Sequence, residues 1–159
     1  MSWKEVTPVV QPRVRKLCVG AYPNHPKGCP NFNKKDGCPP NVPLIGQTID
    51  LTDTVYAIWN VFPYMEHVEK MRTKHPDWSE RQLACCLYWQ GTARKQLRAE
   101  VRKFLQERGA GWKICDCPEA QGVNLTETMK SLGIELEWPP KTVTYQIVLA
   151  GVPMKVLGS

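Results

Sequence analysis

Six prolines and three glycines lie within residues 16–43, and no apolar periodicity is present among them. Proline fixes φ and has no N–H group, so a helix or an interior strand is excluded here. Loops of this length within a compact domain are usually functional or disordered. Three cysteines, Cys18, Cys29 and Cys38, are spread along the segment. We therefore expect an ordered loop whose cysteines bind a metal.

The spacing of these cysteines bears on which metal is bound. Zinc knuckles pair cysteines about two to four residues apart, whereas ten and eight residues separate the cysteines here. The irons of a cluster can each take one thiolate from a different part of a loop. Cys29, Cys38 and Cys117 are each followed by proline, as is common in ferredoxin ligand runs. The sequence therefore predicts a 4Fe–4S cluster, with a zinc ion as the alternative.

A fourth ligand is expected from the pair Cys115 and Cys117. Cys117 is the first choice because Pro118 follows it, and Cys115 is the alternate. Cys86 lies in the apolar stripe of a predicted helix, so it is interpreted as a core residue. If only the three loop cysteines bind, one iron stays open to a substrate, and the protein would then be an enzyme. Four thiolates are the favoured arrangement.

The cysteine count also bears on the compartment. Seven cysteines are an odd number, which does not suit a complete disulfide framework. The first residues lack the apolar run of a signal peptide, and no apolar run is long enough to cross a membrane. We therefore expect a cytoplasmic protein with reduced thiols and no membrane partner.

The remaining sequence predicts one α+β domain over residues 1–159, with the loop at 16–43 and an α+β body at 50–153. Strands are expected at residues 54–62, 112–115 and 142–152, where β-branched and aromatic residues are concentrated. The first 17 residues are expected to be extended. The fold is thus a small sheet packed by two or three helices.

Three helices are predicted between the strands. The first covers residues 64–75, with Met65, Val68 and Met71 facing inward. The second begins after a capping box at Ser79 and continues to Gly109. A short third helix follows Asn124. The inward stripe of the long helix is Leu83, Cys86, Leu87, Ala93, Leu97, Val101, Phe104 and Leu105.

Basic residues crowd the outer face of the long predicted helix. They are Arg94, Lys95, Arg98, Arg102 and Lys103. Together with the aromatic residues that precede them, and with a formal charge of +6, they could follow a nucleic-acid backbone. A solvated helix face is the simpler interpretation, because Glu100 and Glu107 interrupt the positive charge.

Two stretches of the chain carry motifs of a known family. Residues 29–43 contain Cys29 and Cys38, with a phenylalanine and two lysines between them. Cys38 begins a Cys-Pro-Pro motif, and the stretch ends at Pro43. Residues 115–149 contain Pro118-Glu119-Ala120-Gln121-Gly122-Val123-Asn124, followed by Thr128, Gly133 and a closing strand. In these stretches, roughly a third of the chain, the sequence resembles the cysteine-rich domain of unknown function 2284, described as predicted metal-binding proteins.

The resemblance implies a metal centre on Cys29 and Cys38, with Cys115 or Cys117 in the second cysteine region. The family carries more cysteines before its Pro-x-Glu-Ala segment than this chain does, so a second cluster is not expected. Taken together, the sequence predicts an iron–sulfur protein in electron transfer or sulfur-related chemistry, with a redox partner or a small-molecule substrate. The alternative is a zinc-stabilised module that binds nucleic acid or protein.

Overall fold

The computed structural model describes residues 2–18, 42–137 and 140–154. The chain forms a four-stranded antiparallel sheet with helices, so the α+β prediction is confirmed. The strands are β1 (Trp3–Glu5), β2 (Val55–Phe62), β3 (Lys113–Cys115) and β4 (Thr144–Gly151). The helices are α1 (Ile45–Thr48), α2 (Tyr64–Lys74), α3 (Glu80–Ala84), α4 (Gln90–Arg108) and α5 (Leu125–Lys130). Short 3₁₀ helices cover Pro12–Cys18, Cys86–Tyr88 and Glu119–Gln121.

The two longest strands, β2 and β4, lie at the centre of the sheet, whose order is β1-β2-β4-β3. They pair over their whole length, from Val55 opposite Gly151 to Phe62 opposite Thr144. Their β-branched and aromatic residues suit a pleated surface that is buried on both faces. The predicted strands at residues 54–62 and 142–152 are therefore confirmed with slightly shorter bounds.

Each face of the sheet has its own hydrophobic core. On one face, α4 packs Leu97 and Phe104 against Ile58, Val148 and Ala150. The other face is covered by α1, α5 and the segments beside them. Its buried members are Val6, Ile45, Ile49, Val55, Ala57, Cys115, Val123, Leu125, Met129, Ile147 and Leu149. Successive residues of a strand point to opposite faces, so β4 contributes to both cores.

The prediction of one continuous helix from Ser79 to Gly109 is wrong, because the structure has two helices separated by a 3₁₀ turn. Ser79 does cap a helix, since its hydroxyl accepts a hydrogen bond from the Gln82 amide. That helix, α3, ends at Cys85, whose extended backbone (ψ 123°) stops it. After a 3₁₀ turn, α4 begins at Gln90. The break turns Trp89 into the body, where its ring stacks on Phe62 with the ring centroids 5.4 Å apart.

Two inward faces that the sequence predicted are corrected by the structure. Leu87 is 85% exposed, because it lies in the 3₁₀ turn and not on the stripe of a continuous helix. Met65 is 44% exposed, and no residue of α2 is fully buried, so α2 lies on the surface. In the rest of the long-helix stripe, Leu83, Ala93, Leu97 and Phe104 are buried, and Cys86, Val101 and Leu105 are partly buried.

Two short helices near the loop were not predicted. Residues 1–17 were expected to be extended, but only β1 pairs with the sheet, and Pro12–Cys18 forms a 3₁₀ helix. α1 follows the loop and is capped by Gln47, whose side-chain oxygen accepts a hydrogen bond from the Leu44 amide. No helix in the described parts of the chain is both long enough and apolar enough to cross a membrane.

Candidate metal site

The predicted loop ligands fall only partly within the described residues. Cys18 is the last residue of the 3₁₀ helix Pro12–Cys18. Cys29 and Cys38 lie outside the described residues. The structure therefore locates the loop through its two stems, which we define as the N-terminal stem, residues 11–18, and the C-terminal stem, residues 42–44.

The two stems lie against each other. A guanidinium nitrogen of Arg15 donates a hydrogen bond to the carbonyl oxygen of Val42, 2.5 Å away. These residues are 27 positions apart in the chain. The two ends of the segment that contains the cysteines are therefore held together at one place.

The N-terminal stem is also bound to the turn segment, which we define as residues 118–124. The Gln11 amide donates to the Gly122 carbonyl oxygen at 2.7 Å, and the Asn124 amide donates to the Val9 carbonyl oxygen at 2.8 Å. The Asn124 side chain donates a further bond to Gln11 Oε1 at 3.0 Å. These bonds join parts of the chain more than a hundred residues apart, and they place the start of the loop beside the turn segment.

The C-terminal stem is bound to the same segment through Gln121. Its side-chain nitrogen donates to the Pro43 carbonyl oxygen at 3.2 Å and to the Thr48 hydroxyl at 3.0 Å. Gln121 is 4% exposed, and buried polar groups are stable only when they are hydrogen-bonded. The turn segment begins with Pro118, the residue after Cys117, and the stems bond to its later residues Gln121, Gly122 and Asn124.

Gly122 allows the stems to approach this closely. Its φ of 89° lies in the left-handed region, which a residue with a Cβ rarely adopts. A Cβ there would also lie 3.2 Å from Pro12 Cα and 3.2 Å from Leu44 Cδ2, one atom from each side of the loop. Glycine is thus favoured by the turn, and a Cβ at this position would crowd both stems.

Cys115 and Cys117 have different surroundings. Cys115 ends β3 opposite Leu149 and is 3% exposed within the core. Burial raises the pKa of its thiol to about 11. Cys117 lies after the strand and is exposed. A metal ligand must be a thiolate, so the core position disfavours Cys115 and the exposed position favours Cys117.

The carboxyl group nearest to this cysteine in the turn segment is that of Glu119, the first residue of the 3₁₀ helix Glu119–Gln121. Burial raises the pKa of the Glu119 carboxyl. A carboxyl that is partly removed from water is less readily ionised.

The other two described cysteines lie at the break between α3 and α4. Cys85 ends α3, and Cys86 begins the 3₁₀ turn. Cys86 is half-buried and packs against a cluster formed by Phe62, Trp89 and Ala93. It is therefore at the edge of a hydrophobic cluster, in a less enclosed position than the core interpretation predicted.

The sequence did not identify the residues that hold the stems together. Arg15 lies in the basic lead-in, and Gln121 lies between small residues with no periodic pattern. The only available signal was that Gln121 and Gly122 belong to the motif that resembles a known family. Contacts between residues so far apart in the chain cannot be recognised from the spacing of residue types within a short segment.

Within residues 2–18, 42–137 and 140–154, no three His, Cys, Asp or Glu side chains form a group that could hold a metal ion. The predicted ligand set also requires Cys29 and Cys38, which are outside these ranges. No family model matches the chain, and no curated protein and no solved structure is significantly similar to it.

Proposed function

We propose that this protein binds a 4Fe–4S cluster through Cys18, Cys29, Cys38 and Cys117, and that it takes part in electron transfer or sulfur-related chemistry. One observation carries the proposal. The loop that contains three of these cysteines has both of its stems hydrogen-bonded to the turn segment, which directly follows Cys117. The residues that bond the two stems thus lie four to seven positions after Cys117, a cysteine that is distant in sequence from the loop.

The choice of Cys117 over Cys115 rests on burial. A thiol with a pKa of about 11 is protonated at neutral pH, and its sulfur faces the core beneath β4. Cys117 is exposed at the end of the strand and precedes a proline. These properties suit a cluster ligand, whereas those of Cys115 suit a core residue.

The chemistry of the donor set also supports the proposal. Thiolates bind soft or borderline metals, and widely spaced cysteines suit a cluster better than a single zinc ion. Such a cluster supplies one-electron transfer, or an open iron for sulfur chemistry when one thiolate is missing. The chain's own part is to supply the thiolates and to keep the two stems together.

The proposal is tested by metal analysis of the anaerobically purified protein. We expect about four irons and about four sulfides per chain. Cys29→Ser, Cys38→Ser and Cys117→Ser should each lose most of the iron. The matched controls Cys115→Ala and Cys86→Ala should keep it, because each removes a thiol that packs against apolar residues.

Other results would contradict this assignment. One zinc per chain and no iron would favour the zinc-stabilised module. Full iron in Cys117→Ser, with loss of iron in Cys115→Ala, would exchange the roles of the two cysteines. A change in the visible spectrum of the intact protein on adding a small thiol would indicate an open iron, and hence an enzyme with three cysteine ligands.

A further inference from the structure

α4 presents a row of arginines that forms no ion pair within the described residues. Arg94, Arg98 and Arg102 follow one another at intervals of four residues, so they form a track about 12 Å long on one side of the helix. All three are exposed, as is the neighbouring Lys95. Like charges four residues apart on a helix repel each other. None of the described carboxylates forms an ion pair with them, so their charge is available to an anionic ligand.

The two glutamates of α4 do not interrupt this track. At about 100° per residue, Glu100 and Glu107 lie roughly 140–180° around the helix from Arg98 and Arg102. Glu100 instead pairs with Lys103 at 3.4 Å. The two glutamates interrupt the positive charge in the sequence, but they do not interrupt it on this side of the helix.

The track lies on the side of α4 that faces β3. Arg98 and Arg102 line a cleft of about 230 Å³ together with Leu97, Val101 and Asp116. Asp116 is the acidic group that faces the arginines across the cleft. It lies immediately before Cys117, so the basic track and the candidate metal site share one edge of the sheet.

An aromatic column stands just before the start of α4. The rings of His75 and Trp78 are parallel, with their centroids 3.9 Å apart. Trp78 in turn contacts Tyr88 at 4.8 Å, and Tyr88 is 49% exposed. Trp89, by contrast, is buried against Phe62 and is not accessible to a ligand. The outer ring of the column, Tyr88, therefore offers an open face two residues before α4 begins.

We infer that this surface binds a single-stranded nucleic acid, with its phosphates on Arg94, Arg98, Arg102 and Lys95 and an unpaired base stacked on Tyr88. A cationic track on a helix that is preceded by an exposed aromatic ring is a combination typical of proteins that bind such ligands. A duplex would offer no unstacked base to Tyr88. A membrane surface is disfavoured because the apolar face of α4 is already buried on the sheet and cannot enter a bilayer.

The inference is tested by fluorescence anisotropy with the full chain and a labelled twelve-residue oligothymidylate or oligouridylate, over a range of salt concentrations. Arg94→Glu/Arg98→Glu/Arg102→Glu should abolish most binding. It should also reduce the slope of log affinity against log salt by about 2, since each phosphate contact on a single strand contributes about 0.7. Tyr88→Ala should weaken binding roughly tenfold, while Tyr88→Phe should keep it.

A control variant with the same change in net charge separates the effect of the arginine track from the effect of net charge. Lys4→Glu/Lys70→Glu/Lys74→Glu alters three exposed lysines outside α4 and should change affinity less than threefold. Equal weakening by both triple variants, or no binding by the wild type in dilute salt, would overturn the inference. So would tighter binding to a duplex of the same length or to vesicles containing phosphatidylserine. Since the test needs no metal, it is independent of the cluster proposal.

Discussion

His67 is a partly buried imidazole whose Nε2 atom has no hydrogen-bond partner in the described structure. Its ring lies 5.8 Å from that of Phe62. Burial lowers the pKa of His67 below its ordinary value of 6.5, and the positive charge of Lys70 lowers it further. The folded protein therefore binds this proton less readily than the unfolded chain does.

We expect the stability of the protein to decrease on mild acidification because of His67. A lowered folded-state pKa means that the contribution is present above pH 6.5 and is lost as the pH falls through the folded-state value. His67→Phe keeps a ring beside Phe62 but cannot be protonated, so its melting temperature should depend less on pH between 7 and 5. Identical pH dependence in the two proteins would exclude this histidine as the cause.

At the scale of the elements, the break between α3 and α4 separates two leucines that the sequence placed on one stripe. Leu83 is 1% exposed, while Leu87 is 85% exposed. Leu83→Ala should destabilise the protein by about 2–5 kcal/mol, because it leaves a cavity. Leu87→Ala should change stability by less than about 0.5 kcal/mol. Urea unfolding of both variants measures the difference, and equal losses would mean that the helix is continuous.

Most elements were predictable because local signals determine them. The β-branched run of β2, the capping box at Ser79 and the cap at Asn124 all appear in the structure at the expected positions. The break at Cys85 was not predictable, since it depends on the contact of Trp89 with Phe62 and Tyr64. A tertiary contact of this kind overrides helix propensity and leaves no local pattern.

The same distinction applies to the candidate site. The cysteines and the proline-rich loop were evident in the sequence, and the bonding of the two stems to the turn segment was not. That bonding depends on Arg15, Gln121 and Asn124, which bond to residues between 27 and 113 positions away. The ligand assignment on Cys18, Cys29 and Cys38 stays a prediction.

At the scale of the whole molecule, Gln121 connects the loop to the body. Gln121→Ala removes its bonds to the Pro43 carbonyl oxygen and the Thr48 hydroxyl, and should cost about 1–3 kcal/mol of stability. If the loop binds a cluster, iron should also be released faster to a chelator. Gln106→Ala, on the exposed side of α4, is the matched control and should change neither quantity. Unaltered stability in Gln121→Ala would show that the hydrogen bonds of Gln121 do not stabilise the protein.

The pairing of β2 with β4 has a consequence for biosynthesis. A ribosome adds about 80 residues between these strands, which takes roughly 4–16 seconds at ~5–20 residues per second. Until β4 emerges, β2 lacks its main partner and β3 has no strand to pair with. The cysteine loop is therefore synthesised well before the sheet that supports the turn segment. If the loop binds a metal, the support that the turn segment gives to its stems becomes available only after β4 has been made.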